Sequence, residues 1–545
     1  MRSIKNIILL LIIILASVIR FYHLNNIPPS LYSDEADFGY NAYSILKSGH
    51  DEHNTFLPVS LRSFGDWKSP LPSYFMIPPI YLIGLSEYSV RLPSAILGIG
   101  SVIILYYLVN ELLKNHPKSE KISLISAFFL AISPWHILQS RAALPMIPGN
   151  FLLLLGVYFF LLSHQKRYLF IISFIFFALS FYDYLSFFIV TPLILLILFY
   201  FYREFIFSRL KITFLAVITG LIILLPLIIN SYNQHNIIIG RAKNLSVFSD
   251  PGIAGKYWEL SIKDNNPVIT KLFHNKYELT AQEIGSKFLS HLDPNYLFLK
   301  GDKSPPFEIP NMGILYFADA LFILFGLIIS YRERSNIFKF LVIWFCIALI
   351  PAALTFQTPA SNRSFNGIIP LIIIISLGLV VIGRATKLKI ALSLLITFIY
   401  TLSFGYFLYQ YFIILPLHHA DWWNFGWKEV IQYINSPDNN HKNIVISDVN
   451  GMPYIYFLFY NNYDPVKYAQ TAKRDYLSDQ YGFEHVQGFD KYDFVYNFDW
   501  QKIKSHKLPN TIYIVPSWQA PHEYDYSKAI YYPDGKIAFK IFSYE

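Results

Sequence analysis

The sequence predicts an α-helical polytopic membrane protein of about eleven transmembrane helices, followed by a small α/β domain outside the membrane. Three observations predict it. Of the 545 residues, 54% are hydrophobic and only 15% are charged, against about a quarter charged in soluble domains. Runs such as IILLLIIILASVI, LIIIISLGLVVIG and IALSLLITFIYTL have the length and apolarity of membrane helices. Finally, Lys and Arg gather in alternate short loops, and that pattern sets orientation in a bilayer.

The first run, Ile7 to Ile19, leads to Arg20-Phe-Tyr-His rather than to a small-residue cleavage site, so it is expected to stay as a helix. Arg2 and Lys5 ahead of it place the N-terminus in the cytoplasm. The segment from Arg20 to about Arg91 is then outside. It is too polar and too Pro-interrupted to span, and its MIPPIYLIGL stretch reads as interfacial helix with Trp67, Tyr74 and Tyr81 as anchors. Spans follow at about residues 91–113, 122–132, 151–162, 168–181, 185–202, 212–229, 313–330, 340–354, 368–382 and 390–412. The loops KNHPKSEK, HQKR, YREFIFSRLK, YRERSNIFK and GRATKLK are all basic and all fall inside under one topology.

An odd number of spans puts everything after about Leu415 outside, on the side of Asp34. There, helix candidates (WNFGWKEVIQYI, PYIYFLFY) alternate with strand-like runs (NIVISDV, TIYIVP) between Asn-, Asp- and Pro-rich turns. The expected domains are therefore residues 1–415, with outer loops at 20–91 and 230–311, and residues 416–545. The multi-pass chain is expected in the cell membrane. The net charge of +8 is accounted for by the inner loops and does not indicate nucleic acid. The single cysteine, Cys346, lies in an apolar run and suggests neither a disulfide framework nor a thiol nucleophile. The sequons at Asn244 and Asn362 are read as chance matches in an Asn-rich chain.

The chemistry concentrates in LYSDEADFGYNAY, which places Asp34, Glu35 and Asp37 within four residues at the membrane surface. Carboxylates beside lipid lose hydration and are usually paired, metal-bound or retained for reaction. Ser33 followed by acids also reads as a solvated helix start. Lys68, Arg141 and Arg363 offer cations in three outer loops. Carboxylates with dispersed cations suit a phosphorylated lipid: cations hold the phosphate while a carboxylate accepts a proton from an attacking hydroxyl. Pairing of these cations with the acids or with lipid headgroups is the alternative.

The ordered motifs D-E in the first outer loop, K-x-P-L-x-x-Y (Lys68, Pro70, Leu71, Tyr74), R-L-P-S-A-I-L-G (Arg91 to Gly98) and S-P-W-H-x-x-x-S-R (Ser133 to Arg141) resemble glycosyltransferase family 39. That family includes protein O-mannosyltransferases and the aminoarabinose transferases of lipid A. SHLDPNYLFLKGD (Ser290 to Asp302), PASNRSF (Pro359 to Phe365) and the start of the tail (Asp421 to Lys428) resemble its bacterial members. The resemblance implies a GT-C-like fold and inverting transfer of a sugar from a polyprenyl-phosphate donor to a hydroxyl acceptor on protein, lipid or glycan at the outer face. By the same resemblance Asp34 is the general base with Glu35 beside it. Lys68, Arg141, Arg363 and Tyr74 serve the donor phosphate or lipid, and Asp34 with His291 is a candidate holder of a divalent ion. The chain departs from the pattern after Arg141, where Ala-Ala-Leu-Pro replaces the acidic or amide residue of many relatives; Asp183 and Asn150 are candidates to substitute. A transporter or flippase of lipid-linked sugars is the rival reading, although mid-span charges and repeated halves, usual in transporters, are not evident.

Overall fold

The computed structural model describes residues 2–233, 246–249, 251–264, 267–333, 336–385, 389–449, 452–479, 482–496, 498–501, 508–521 and 524–544. The sequon at Asn244 and parts of the basic loops at 331–339 and 383–389 lie outside the described residues. All eleven runs expected to cross are helical: α1 (Arg2–Phe21), α4 (Glu87–Leu112), and the helices Ser119–Ile132, Ile147–Leu162, Leu169–Ser180, Phe187–Phe201, Leu210–Asn233, Asp319–Glu333, Asn336–Ala353, Ile368–Ala385 and Lys389–Tyr409. Between α1 and α4 lie α2 (Ser33–Ser48) and α3 (Leu71–Ile83).

Among the described residues, five helices are long and apolar enough to cross a membrane by themselves, and six if Ser119–Ile132 and Pro134–Arg141, bent by 56°, form one broken span. The 12-residue helix Leu169–Ser180 rises only about 18 Å, short of the roughly 30 Å hydrocarbon core. The protein is a multi-pass helical membrane protein with a C-terminal sheet region.

The chain forms two compact units: residues 1–20, 96–140 and 145–410, and residues 21–95, 141–144 and 411–545. The second unit thus joins residues 21–95 to the C-terminal residues, a grouping different from a division at residue 415.

In the first unit, helices Asp319–Glu333 and Ile368–Ala385 meet backbone to backbone. A Cβ on Gly378 would collide with the Phe322 carbonyl oxygen, and one on Gly326 with that of Ile374. Small residues permit this approach where packing, rather than water exclusion, holds helices together. Gly378→Leu is expected to lower stability by about 1–3 kcal/mol, read as a lower thermal midpoint in detergent.

The second unit centres on α2. Ten of its sixteen residues are buried, Glu35, Asp37 and Asn41 among them, so it is a core helix and not a solvated one. Ser33 is its first helical residue; the N-terminal cap comes instead from Glu35, whose carboxylate accepts the Tyr32 N–H at 3.0 Å. Gly49, at φ 75°, closes the helix in the left-handed conformation. Gly39 lets it pack closely on helix Tyr454–Tyr460, since a Cβ there would lie 2.8 Å from the Phe459 ring. The sequence YIYFLFY is buried along almost its whole length because α2 and the sheet sandwich it.

That sheet has seven strands: β3 (Asn443–Ser447), β4 (Lys473–Asp475), β5 (His485–Phe489), β6 (Tyr492–Val495), β7 (Thr511–Pro516), β8 (Lys528–Tyr531) and β9 (Ile537–Tyr544), in the order β4-β5-β6-β3-β7-β9-β8. β3 runs parallel to both β6 and β7, and the outer pairs are antiparallel. The expected strands NIVIS and TIYIVP are its central pair. Beyond β3, His485 sits between two carboxylates, Nδ1 at 2.5 Å from Asp448 and Nε2 at 3.3 Å from Asp479, with the Tyr496 ring edge-on. The hydrogen bond to Asp448 leads in raising its pKa, against partial burial. A raised imidazole pKa means stabilisation that is complete below about pH 6.5 and lost as pH climbs through the folded value. Unfolding scans from pH 5.5 to 9 should therefore show a falling midpoint that is flatter in His485→Gln.

Candidate active site

Asp34 and Asp37 are three residues apart on α2, so both carboxylates project from one face. Opposite them a hairpin, β1 (Leu61–Ser63) paired with β2 (Asp66–Lys68), turns through Phe64 and Gly65, both at positive φ. Its last residue, Lys68, reaches between the two acids: Nζ lies 2.6 Å from Asp34 Oδ1 and 3.0 Å from Asp37 Oδ2. The ammonium also faces the Phe64 ring at 4.2 Å. Asp37 is fully buried, whereas the Asp34 side chain is 37% exposed. Among the described residues no partner holds Asp34 Oδ2.

Burial lifts the Asp37 carboxyl above the ordinary range, and Lys68 pulls against it. Burial would lower Lys68, but attraction to Asp34 and Asp37 outweighs it and raises the ammonium instead. The trio is therefore a buried, charged lysine steering one partly open carboxylate. Asn41 continues the polar chain, donating to Asp37 Oδ1 at 2.9 Å and accepting the Glu52 N–H at 2.9 Å. Beyond it, Arg474 donates to the Glu52 carbonyl at 2.7 Å.

Glu35 points to another face of α2. Arg91 binds it in bidentate fashion, with Nε and one terminal nitrogen each 3.0 Å from a carboxylate oxygen, and both side chains are fully buried. The backbone N–H groups of Ala143 and Tyr32 donate to the same carboxylate, at 2.7 and 3.0 Å. Four donors saturate it.

The segment after α1 makes little regular structure, and its carbonyls need donors. Arg91 serves Leu24, Pro28 and Ser30, while Arg141 serves Tyr22 and Ile27, both at 2.8 Å. The Arg141 guanidinium stacks 4.8 Å from the Phe412 ring and 5.6 Å from that of Tyr411. Tyr74 donates to the Pro58 carbonyl at 3.0 Å.

Asp34, Glu35, Lys68, Tyr74 and Arg141 are thus brought into one compact unit, whereas Arg363 and His291 belong to the other. Arg363 donates to Thr355 Oγ1 at 2.9 Å. His291 accepts the Ala360 N–H on Nε2 at 3.1 Å, so its Nδ1–H donates to the Lys287 carbonyl at 2.8 Å. Asp302 takes the Ser361 N–H at 2.6 Å, and Trp135 donates to the Ser361 carbonyl at 2.9 Å. Those contacts join SHLDPNYLFLKGD to PASNRSF: the first holds the second by its backbone. Asp183 accepts the Met146 and Gly149 N–H groups at the start of helix Ile147–Leu162, and Asn150 donates to Asn366.

Among the described residues no group of three His, Cys, Asp or Glu could hold a metal ion. His291 has both ring nitrogens engaged. Sequence reasoning counted Asp37 only among the carboxylates and gave no role to Arg91 and Asn41. The available signals were the i, i+3 spacing of two aspartates near a lysine, and an arginine already inside a motif.

Residues 10–233 match the sequence model of a family described as dolichyl-phosphate-mannose-protein mannosyltransferase, and this bears out the resemblance to glycosyltransferase family 39. No curated protein matches the chain by sequence. Among solved structures, ArnT from Cupriavidus metallidurans bound to undecaprenyl phosphate has a TM-score of 0.55 at 11% identity, covering 98% of this chain and 97% of that one. ArnT in the apo state gives 0.54 at 11% identity, with the same coverage. The Archaeoglobus fulgidus oligosaccharyltransferase in complex with Zn and sulfate has a TM-score of 0.49 at 16% identity over 83% of this chain. This chain spans 61% of the archaeal protein. The fold shared with ArnT over nearly the whole chain is the GT-C-like fold.

Proposed function

We propose that this chain, with the family pattern in residues 10–233 and a fold shared with ArnT, is a membrane glycosyltransferase. It takes a sugar from a polyprenyl-phosphate donor and transfers it, with inversion, to a hydroxyl acceptor at the outer face. The observation that carries the reading is Asp34: a half-open carboxylate fixed by a buried lysine at 2.6 Å. Such a group can accept a proton from an attacking hydroxyl through Oδ2 while Lys68 holds Oδ1 and keeps the carboxylate oriented. The departing lipid phosphate needs cations and no protein acid. Arg141 is the cation proposed for it. In this reading Lys68 serves the base first and the donor phosphate second, since two carboxylates occupy its ammonium. Glu35 serves by fixing α2 and Arg91, and Tyr74 by holding the loop at Pro58. In this reading the eleven helical segments make up the membrane domain, the N-terminus is cytoplasmic and residues 416–545 are extracytoplasmic.

The test is transfer from radiolabelled polyprenyl-phosphate sugars in membranes, scored for labelled acceptor and released lipid phosphate. Wild-type transfer with stoichiometric release supports the reading. Movement of donor lipid across the bilayer without transfer would replace it with a flippase.

A further inference from the structure

Asn41 is a fully buried amide with a different partner at each end. Its side-chain oxygen accepts the Glu52 N–H at 2.9 Å, while its nitrogen donates to Asp37 Oδ1 at 2.9 Å and to the Asp37 carbonyl at 3.1 Å. A side-chain amide both accepts and donates; a carboxylate of the same shape only accepts. The donated bond matters because the other Asp37 oxygen, Oδ2, is taken by Lys68 at 3.0 Å. With both oxygens engaged the Asp37 carboxylate has one orientation. Lys68 then divides its ammonium between Asp37 and Asp34 in one geometry.

The far end of this run is held as firmly. Asp51 Oδ1 accepts the His53 and Thr55 N–H groups at 3.0 and 2.7 Å, and Ser44 donates to the His50 carbonyl at 2.7 Å, which closes residues 50–55 into a turn against α2. From that turn Glu52 presents its N–H to Asn41 and its carbonyl, at 2.7 Å, to Arg474 on β4 of the C-terminal sheet. The same guanidinium lies 3.1 Å from His53 Nε2 and faces the Tyr468 ring at 5.0 Å. Burial, with Arg474 and Arg62, pushes the His53 pKa down to about 2, so the ring is neutral and accepts from Arg474. A continuous run of polar contacts thus leads from Arg474 through the Glu52 backbone, Asn41, Asp37 and Lys68 to Asp34. Loosening one link of such a run weakens the others. We propose that Asn41 and Arg474 are positioning residues for the general base, holding the buried end of the run so that Lys68 presents Asp34 Oδ2 to the acceptor hydroxyl. The role rests on the reading of Asp34 as base. It makes the C-terminal sheet a working part of the active site, because the group that closes the run comes from β4.

The experiment measures transfer by the full chain in membranes from radiolabelled undecaprenyl-phosphate mannose, glucose, galactose and aminoarabinose, with kcat and donor KM determined separately and kcat normalised to folded protein. Asn41→Asp keeps the shape and the bond from the Glu52 N–H, but turns the donor facing Asp37 into an acceptor. Its kcat is expected to fall about tenfold, the equivalent of one hydrogen bond to a charged group, with donor KM unchanged. Arg474→Gln should act in the same direction, and the double variant should lose no more than the worse single one, since both act through one run. Hydrogen exchange gives a second readout, independent of turnover: amides of residues 61–68 should exchange about threefold faster in Asn41→Asp, with those of β3 unchanged. Unchanged kcat in both variants, a loss confined to folded fraction or to donor KM, losses that multiply in the double variant, or unaltered exchange at 61–68 each overturn the positioning role. Absence of transfer by wild type from every donor fells the glycosyltransferase reading itself, and the role with it.

Discussion

Asp34→Asn is expected to abolish sugar transfer while leaving the protein folded. Asparagine keeps the shape of the carboxylate and can still accept from Lys68, but it cannot take a proton from a hydroxyl. Removing a positioned general base costs typically 10²–10⁴-fold. The loss should appear in kcat, with KM for the donor unchanged, because Asp34 is proposed to act on the acceptor's proton and not on the donor phosphate. Lys68, still paired with the buried Asp37 at 3.0 Å, keeps the hairpin against α2, so the thermal midpoint should move little. Equal transfer by variant and wild type removes Asp34 from the mechanism. A raised donor KM at unchanged kcat would move it to donor binding.

Glu35→Ala should do the opposite, unfolding the protein more than it slows the chemistry. Its carboxylate is fully buried and bound by Arg91 and two backbone N–H groups. Deleting one partner of a buried ion pair costs about 3–5 kcal/mol, because the other charge is left uncompensated. Here that charge is Arg91, which also holds the carbonyls of Leu24, Pro28 and Ser30, so the loss should spread to the segment after α1. Chemical denaturation in detergent and turnover per folded molecule, measured together, decide the point. Normal stability with lost turnover would return Glu35 to the reacting groups.

These two neighbours differ for a reason that the sequence does not express. Adjacent helical residues point about 100° apart, so D-E is one motif in the chain and two environments in the fold. Which face met water and which met Arg91 depended on α3, α4 and helix Tyr454–Tyr460 packing around α2. The same packing turned a helix that could be read as solvated into a core element. A cavity whose wall combines Asn25, Glu87, Phe412, Phe425, Tyr460 and Pro533 has no local signature at all.

By itself the sequence determined what depends on nearest neighbours and composition. Apolar run length identified every one of the eleven helical segments, short strand-like runs between turn residues identified the central strands β3 and β7, and the ordered motifs indicated the family. What only the tertiary structure decided was each polar group's partner. Hydrogen bonds and ion pairs join residues far apart in the chain, such as Lys68 to Asp34, Arg91 to Glu35 and Ala143 to Glu35. Their geometry is set by how helices pack, and no local pattern encodes that.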